Sequence, residues 1–261
     1  MRPNGVLGAA WLLTLTASAG WAQPLAPALT AMQTAVACAP LPRFGVARPA
    51  GLQIVGAQDT MPRELLSKSD LLIINGGTGD GVQIGQRYFV RRFVGFGESW
   101  QTKPAHAIRT AGWIRIVSVN EIAAIASIEY ACDGIVKGDY LDPFVAPDVP
   151  VDADRAVTTG ELDFTSLGRV FFGDEERRIG GTGEFMLIDR GTDMGVTTGA
   201  HFAVFRDLRV NDLPLTAIGE ATVVATGPTL ALVRINEARD AVRSGDFVVP
   251  RKPRKPDTLP Q

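Results

Sequence analysis

From residue 51 onward the apolar residues fall into short runs separated by glycine-rich breaks. LLII at 71–74, RYFV at 87–90, WIRIVSV at 113–119, IAAIASIEY at 122–130 and TLALVRI at 229–235 are examples. They are rich in β-branched and aromatic residues and too short for helices, so they predict strands. Within 113–119, Ile114 and Ile116 are expected to face inward, with Val117 or Val119 beside them. Helix is expected only over 26–37, in a turn near 61–68 and in a short piece near 237–243.

The pattern repeats. LLIINGGTGDGVQIGQRYFVRR (71–92) overlays FMLIDRGTDMGVTTGAHFAVFR (185–206) at a constant offset of 114, with eight of 22 positions identical. Residues 111–143 overlay 218–250 at an offset of 107, with nine of 33 identical. LQIVG at 52–56 is matched to RVFFG at 169–173 as the opening strand of each unit. Repetition at fixed spacing marks one supersecondary unit used twice. Five or six short strands per unit suit a small closed barrel. The expected fold is therefore all-β, two tandem homologous small β-barrels or compact sandwiches with little helix. The expected division is a leader (1–22), an N-terminal segment (23–51), a first barrel (52–144), a linker (145–168), a second barrel (169–251) and a basic, proline-rich tail without order (252–261).

The repeat also decides what the glycines do. NGGTGDG looks like a phosphate loop, but Gly76 becomes Arg190 and Gly79 becomes Asp193, while Gly77, Gly81 and Gly85 recur as Gly191, Gly195 and Gly199. A phosphate loop needs a Lys after its second spaced glycine and then a helix. Val82 stands at the Lys position and a strand pattern follows. These glycines are read as turn residues needing positive φ. Gly138-Asp139 and Gly245-Asp246 close each unit in the same way, as tight turns into a last strand.

Composition adds a compartment. Arg2 followed by VLGAAWLLTLTASAG and Gly20-Trp21-Ala22 reads as a secretory leader cleaved after Ala22. That apolar run is shorter than the roughly 20 residues that span a bilayer, and no later run is long enough. The formal net charge is −2, becoming −3 when Arg2 leaves, which gives no sign of nucleic-acid binding. Cys38 and Cys132 are the only cysteines, and in an exported chain a disulfide between them is expected. Two free thiols are the alternative. A third reading takes Ala35-Val36-Ala37-Cys38 as a loose lipidation signal anchored at Cys38, although QPLAPALTAMQT before it is a poor apolar core.

The shared frame is an apolar strand, G-T-x-x-G-V-x-x-G, a strand closed by Arg92 or Arg206, and G-D-x-x-x-P. It resembles the small β-barrel repeats of bacterial envelope proteins, such as the carboxy-terminal domain of flagellar assembly protein T and modules of exported lysin-motif-associated proteins. The resemblance covers nearly all of 52–250 and implies an envelope binding or structural role, with no catalytic residues to carry over. This chain lacks a lysin-motif segment.

No H-E-x-x-H, C-x-x-C or G-x-S-x-G occurs, and the chain has two histidines, His106 and His201. Neither a metal site nor a cofactor is expected. His201 is expected to face solvent. The recurring acids Asp139 and Asp246 already have turn roles. The candidate binding feature is the loop 95–110, longer than its counterpart 207–216, with Trp100, Lys103, His106 and Arg109. An exposed aromatic with basic neighbours suits a cell-wall polymer or an envelope protein. The expected function is a non-enzymatic, exported envelope binding or scaffold module, periplasmic or envelope-associated. The alternative is an envelope hydrolase, or its accessory subunit, with a site between the barrels.

Overall fold

The computed structural model describes residues 28–39, 41, 51–95, 106–173, 177–209 and 213–252. The protein is all-β, built as two small antiparallel barrels, with one short α-helix among the described residues, α1 (Ala31–Cys38).

The first barrel holds β1 (Ile54–Ala57), β2 (Leu71–Ile74), β3 (Arg87–Gly95), β4 (His106–Val119), β5 (Ala124–Ala131) and β6 (Tyr140–Pro143) in the order β1-β2-β5-β4-β3-β6. The sheet curls back on itself: Gln53 bridges Tyr140, and Ile54 N donates to Asp139 O. After β7 (Glu161–Leu162), the second barrel holds β8 (Gly168–Gly173), β10 (Phe185–Ile188), β11 (His201–Arg206), β12 (Thr216–Thr226), β13 (Ala231–Ala238) and β15 (Phe247–Lys252). Its ladder runs β11-β12-β13-β10-β8-β15 and closes through a β11–β15 pairing, with β7 added beside β15. A two-stranded ribbon of β9 (Ile179–Gly180) and β14 (Val242–Arg243) sits beside it.

Each barrel has its own apolar core. Leu72, Ile74, Ile114, Ile116 and Ile128 fill the first, and Met186, Ile188, Val223, Val233 and Ile235 the second. Alternation along each strand sends these residues inward. Ile114 and Ile116 are buried as expected; Val119 packs at the core edge, whereas Val117 faces out.

Positions paired by the sequence offsets take the same backbone form. The bulges at Val90/Arg91 and Trp113/Ile114 recur at Val204/Phe205 and Glu220/Ala221. The opening strand does not follow the expected overlay. Ile54 N donates to Asp139 O and Val170 N to Asp246 O, so Ile54 corresponds to Val170 and not to Phe171. In a strand a one-residue slip exchanges the two faces. It puts Phe171 on the outside, where Val55 stands in the first barrel.

The glycine frame divides into two kinds. Gly81 and Gly195 lie at φ 80° and 77°, each ending a one-turn 3₁₀ segment, and Gly85, Gly138, Gly199 and Gly245 also have positive φ. Gly77 and Gly191 do not; they are extended and are glycine for want of room. A Cβ on Gly77 would stand 2.4 Å from the backbone of Asn120 and Glu121, and one on Gly191 would stand 2.3 Å from Pro228 O. Open space surrounds Gly81, so Gly81→Ala costs only the left-handed conformation, about 1 kcal/mol. Gly77→Ala must push the β4–β5 hairpin away and is expected to cost more. Urea midpoints of the two variants check the order, and equal midpoints would remove the distinction.

Among the described residues, helix is scarcer than the sequence suggests. Residues 61–68 hold no helix; Leu66 there bridges Ile135. Residues 237–243 finish β13 and form β14, because pairing with β9 overrides local helix preference. The segment 145–168 is not a free linker. Pro147 O accepts from Gln33, Ala153 O accepts from Asn236, and 161–167 lies on the second barrel through Leu162 and Leu167.

α1 packs between the barrels. Thr30 and Gln33 form a capping box at its start. Ala37 joins Phe89 and Trp113 of the first barrel, while Val36 and Ala39 join Leu187, Val224 and Leu232 of the second. Cys38 and Cys132 form a disulfide, with Cα atoms 5.6 Å apart. The expected bridge is therefore present, in place of two free thiols.

Candidate functional site

The ends of β3 and β4 carry the loop singled out by sequence. Trp100 and Lys103 lie outside the described residues, and His106 opens β4. Arg109 is placed by the β4 ladder opposite Arg92 on β3.

The charges there form one network. Arg92 donates Nε to Asp139 Oδ1 and Nη2 to Asp139 Oδ2, both at 2.8 Å, and Nη2 also donates to Gly134 O at 2.6 Å. Asp139 is buried and accepts Val136 N at 2.9 Å, so one carboxylate both shapes the last turn and holds the strand arginine. Asp133 lies 3.5 Å from Arg92 Nη1 and 3.6 Å from Arg109 Nη1. The hydrogen bonds that Arg92 donates to Asp139 raise the Arg92 pKa above its already high ordinary value, so Arg92 stays charged at any working pH.

The second barrel repeats the arrangement. Arg206 donates to Asp246 at 2.9 and 2.7 Å and to Ala241 O at 2.6 Å, and it also pairs with Asp240. Thr216 stands where the first barrel has Arg109. The arginine–aspartate pair is thus a fastening common to both barrels, and Arg109 is an addition specific to the first. Sequence showed that Arg92/Arg206 and Asp139/Asp246 recur. It did not show that they pair, because they lie on strands distant in the chain.

A second set of equivalent positions has diverged. On the first barrel Glu129 bridges Arg87 and Arg115. On the second the same places hold Asn236, His201 and Thr222. His201 Nδ1 is 3.0 Å from Thr222 Oγ1, Thr222 donates to Asn236 Oδ1 at 2.7 Å, and Asn236 donates to Ala153 O at 2.8 Å. Thr222 spends its proton on Asn236, so His201 donates from Nδ1. His201 is half-buried rather than solvent-facing, and its network helps hold 145–168 on the barrel.

Burial is the main cause that lowers the His201 pKa from 6.5; Glu220 and Asp152 act against it and Arg251 with it. As pH falls the unfolded chain takes up the proton first. The stability from neutral His201 is therefore complete above about pH 6.5 and is lost progressively below it. His201→Gln keeps a donor for Thr222, so its melting temperature should fall less than wild type between about pH 7.5 and about pH 5.5. Parallel falls would show that His201 contributes nothing.

Among the described residues, no group of three or more His, Cys, Asp or Glu side chains is placed to hold a metal ion, and no helix is long and apolar enough to cross a membrane. No protein-family model matches the chain, and comparison with curated proteins finds no match.

Proposed function

We propose that the protein is an exported, non-enzymatic binding or scaffold module of the cell envelope. The disulfide carries this reading, because such bridges persist in oxidising compartments and the N-terminal 22 residues read as a secretory leader. The bridge also occupies the Cys38 sulfur that a lipid thioether would need. The resemblance to envelope barrel repeats supports the same reading. So does the use of Asp139 and Asp246, whose carboxylates are engaged by arginines and turn amides.

The ligand-facing part is the loop between β3 and β4, with Trp100, Lys103, His106 and Arg109, and its ligand is a wall polymer or an envelope protein. The test incubates the mature protein with purified peptidoglycan sacculi and measures the fraction that pellets. Wild type is expected to pellet and the Trp100→Ala, Lys103→Ala double variant to stay soluble. Equal solubility of both would remove the wall as ligand. Release of soluble glycan fragments would instead favour the hydrolase reading.

A further inference from the structure

The outward face of the second barrel is apolar where α1 sits. Leu187 on β10, Val224 on β12 and Leu232 on β13 are buried beneath Val36 and Ala39, with Phe171 and Phe185 flanking. The equivalent positions on the first barrel are Ile73, Val117 and Ile125, flanked by Val55 and Leu71. All five are apolar there too. Yet none belongs to an apolar cluster of the described residues: Val117 is 43% exposed where Val224 is 1%, and Val55 and Leu71 are 41% and 40% exposed.

The rim differs in the same sense. Thr198 and Thr229 of the second barrel correspond to Ile84 and Ile122 of the first, which are 63% and 76% exposed. Gly85 N donates to Ile116 O, which sets Ile84 next to Val117. Single exposed apolar residues are ordinary. Here they fill the positions that form a helix seat on the other barrel. The neighbouring outward positions Arg87, Arg115 and Glu129 are charged, as a water-facing sheet requires. The open face is also continuous with an established interface, since the outward side of β4 carries Trp113 against α1 and then Val117.

We propose that this face seats a single apolar helix of a partner protein. Size decides against a second copy: a stable protein–protein interface takes roughly 20–30 residues a side. The seven side chains named here match one helix. A second copy cannot lend its own α1, which is bridged and buried. Val55 and Leu71 stand where the second barrel has Phe171 and Phe185, so the seat has room for larger anchors than Val36 and Ala39. The partner helix therefore presents Leu or Phe at positions three or four residues apart.

The inference goes beyond the envelope reading and does not depend on the ligand of the β3–β4 loop. The test titrates methyl-labelled mature protein with a synthetic peptide copying residues 28–41, changed at Val36→Leu, Ala39→Leu and Cys38→Ser. Saturating methyl shifts are expected at Leu71, Val117 and Ile125, and none at Leu187, Val224 or Leu232. Val117→Asp should weaken binding at least about tenfold with its melting temperature unchanged. Ile84→Thr with Ile122→Thr should weaken it several-fold. No shift at millimolar peptide, or shifts confined to the second barrel, would overturn the proposal. Self-association abolished by Val117→Asp would also overturn it and give the face to a second copy. Sacculus pelleting is read separately, so either result can fail without the other.

Discussion

Removing the disulfide by Cys38→Ser with Cys132→Ser is expected to destabilise the protein by about 4 kcal/mol. The bridge joins residues 94 apart in sequence, and closing so long a loop takes much entropy from the unfolded chain. The cost also has a local part. α1 has eight residues, too few to be helical alone, and stays folded because Ala37 packs on the first barrel and Val36 on the second. Without the bridge α1 is held by packing only, and its release would expose Leu187, Val224 and Leu232 as well as Trp113. Urea unfolding of wild type and variant measures the loss. A variant within about 1 kcal/mol of wild type would mean that neither the closed loop nor the clamp contributes as argued.

The second large effect is at Asp246. Asp246→Ala is expected to cost about 3 kcal/mol, because it takes the bidentate carboxylate from the mostly buried Arg206 guanidinium, leaving it only the exposed Asp240, and strips an acceptor from Arg243 N. Arg206 is 13% exposed and Arg92 25%, so Asp139→Ala should cost less than Asp246→Ala. The double change Arg206→Met with Asp246→Leu removes both charges and should recover part of the loss. An Asp246→Ala variant as stable as wild type would show that the pair only decorates the turn.

How much of this was legible depended on where each constraint acts. Positive φ leaves glycine in the sequence, so the turns at Gly81, Gly85, Gly138 and their equivalents could be read. Gly77 and Gly191 were found for a different reason than expected, since close approach of another hairpin leaves the same mark as a turn. With only two cysteines the bridge had one form. The register of the opening strands is not legible, because LQIVG and RVFFG are apolar on both faces and alternation cannot set it; the backbone bonds place Ile54 with Val170. The seat of α1 was invisible: AMQTAVAC is short, and the two surfaces that bury it come from different barrels. Of the candidate site, Arg109 lies in the network with Asp133 and Arg92, and His106 begins β4. The contrast between Val117 and Val224 could not be read at all, because the two residues are identical and only their cover differs.

The central claim is an exported chain fastened by its own disulfide. The intact mass of the protein purified from its native cells, with and without reductant, tests it most directly. The account predicts a chain beginning at Gln23 that is about 2 Da lighter until it is reduced. A chain beginning at a diacylated Cys38 would contradict it, placing the protein on a membrane leaflet and leaving Cys132 without its bridge.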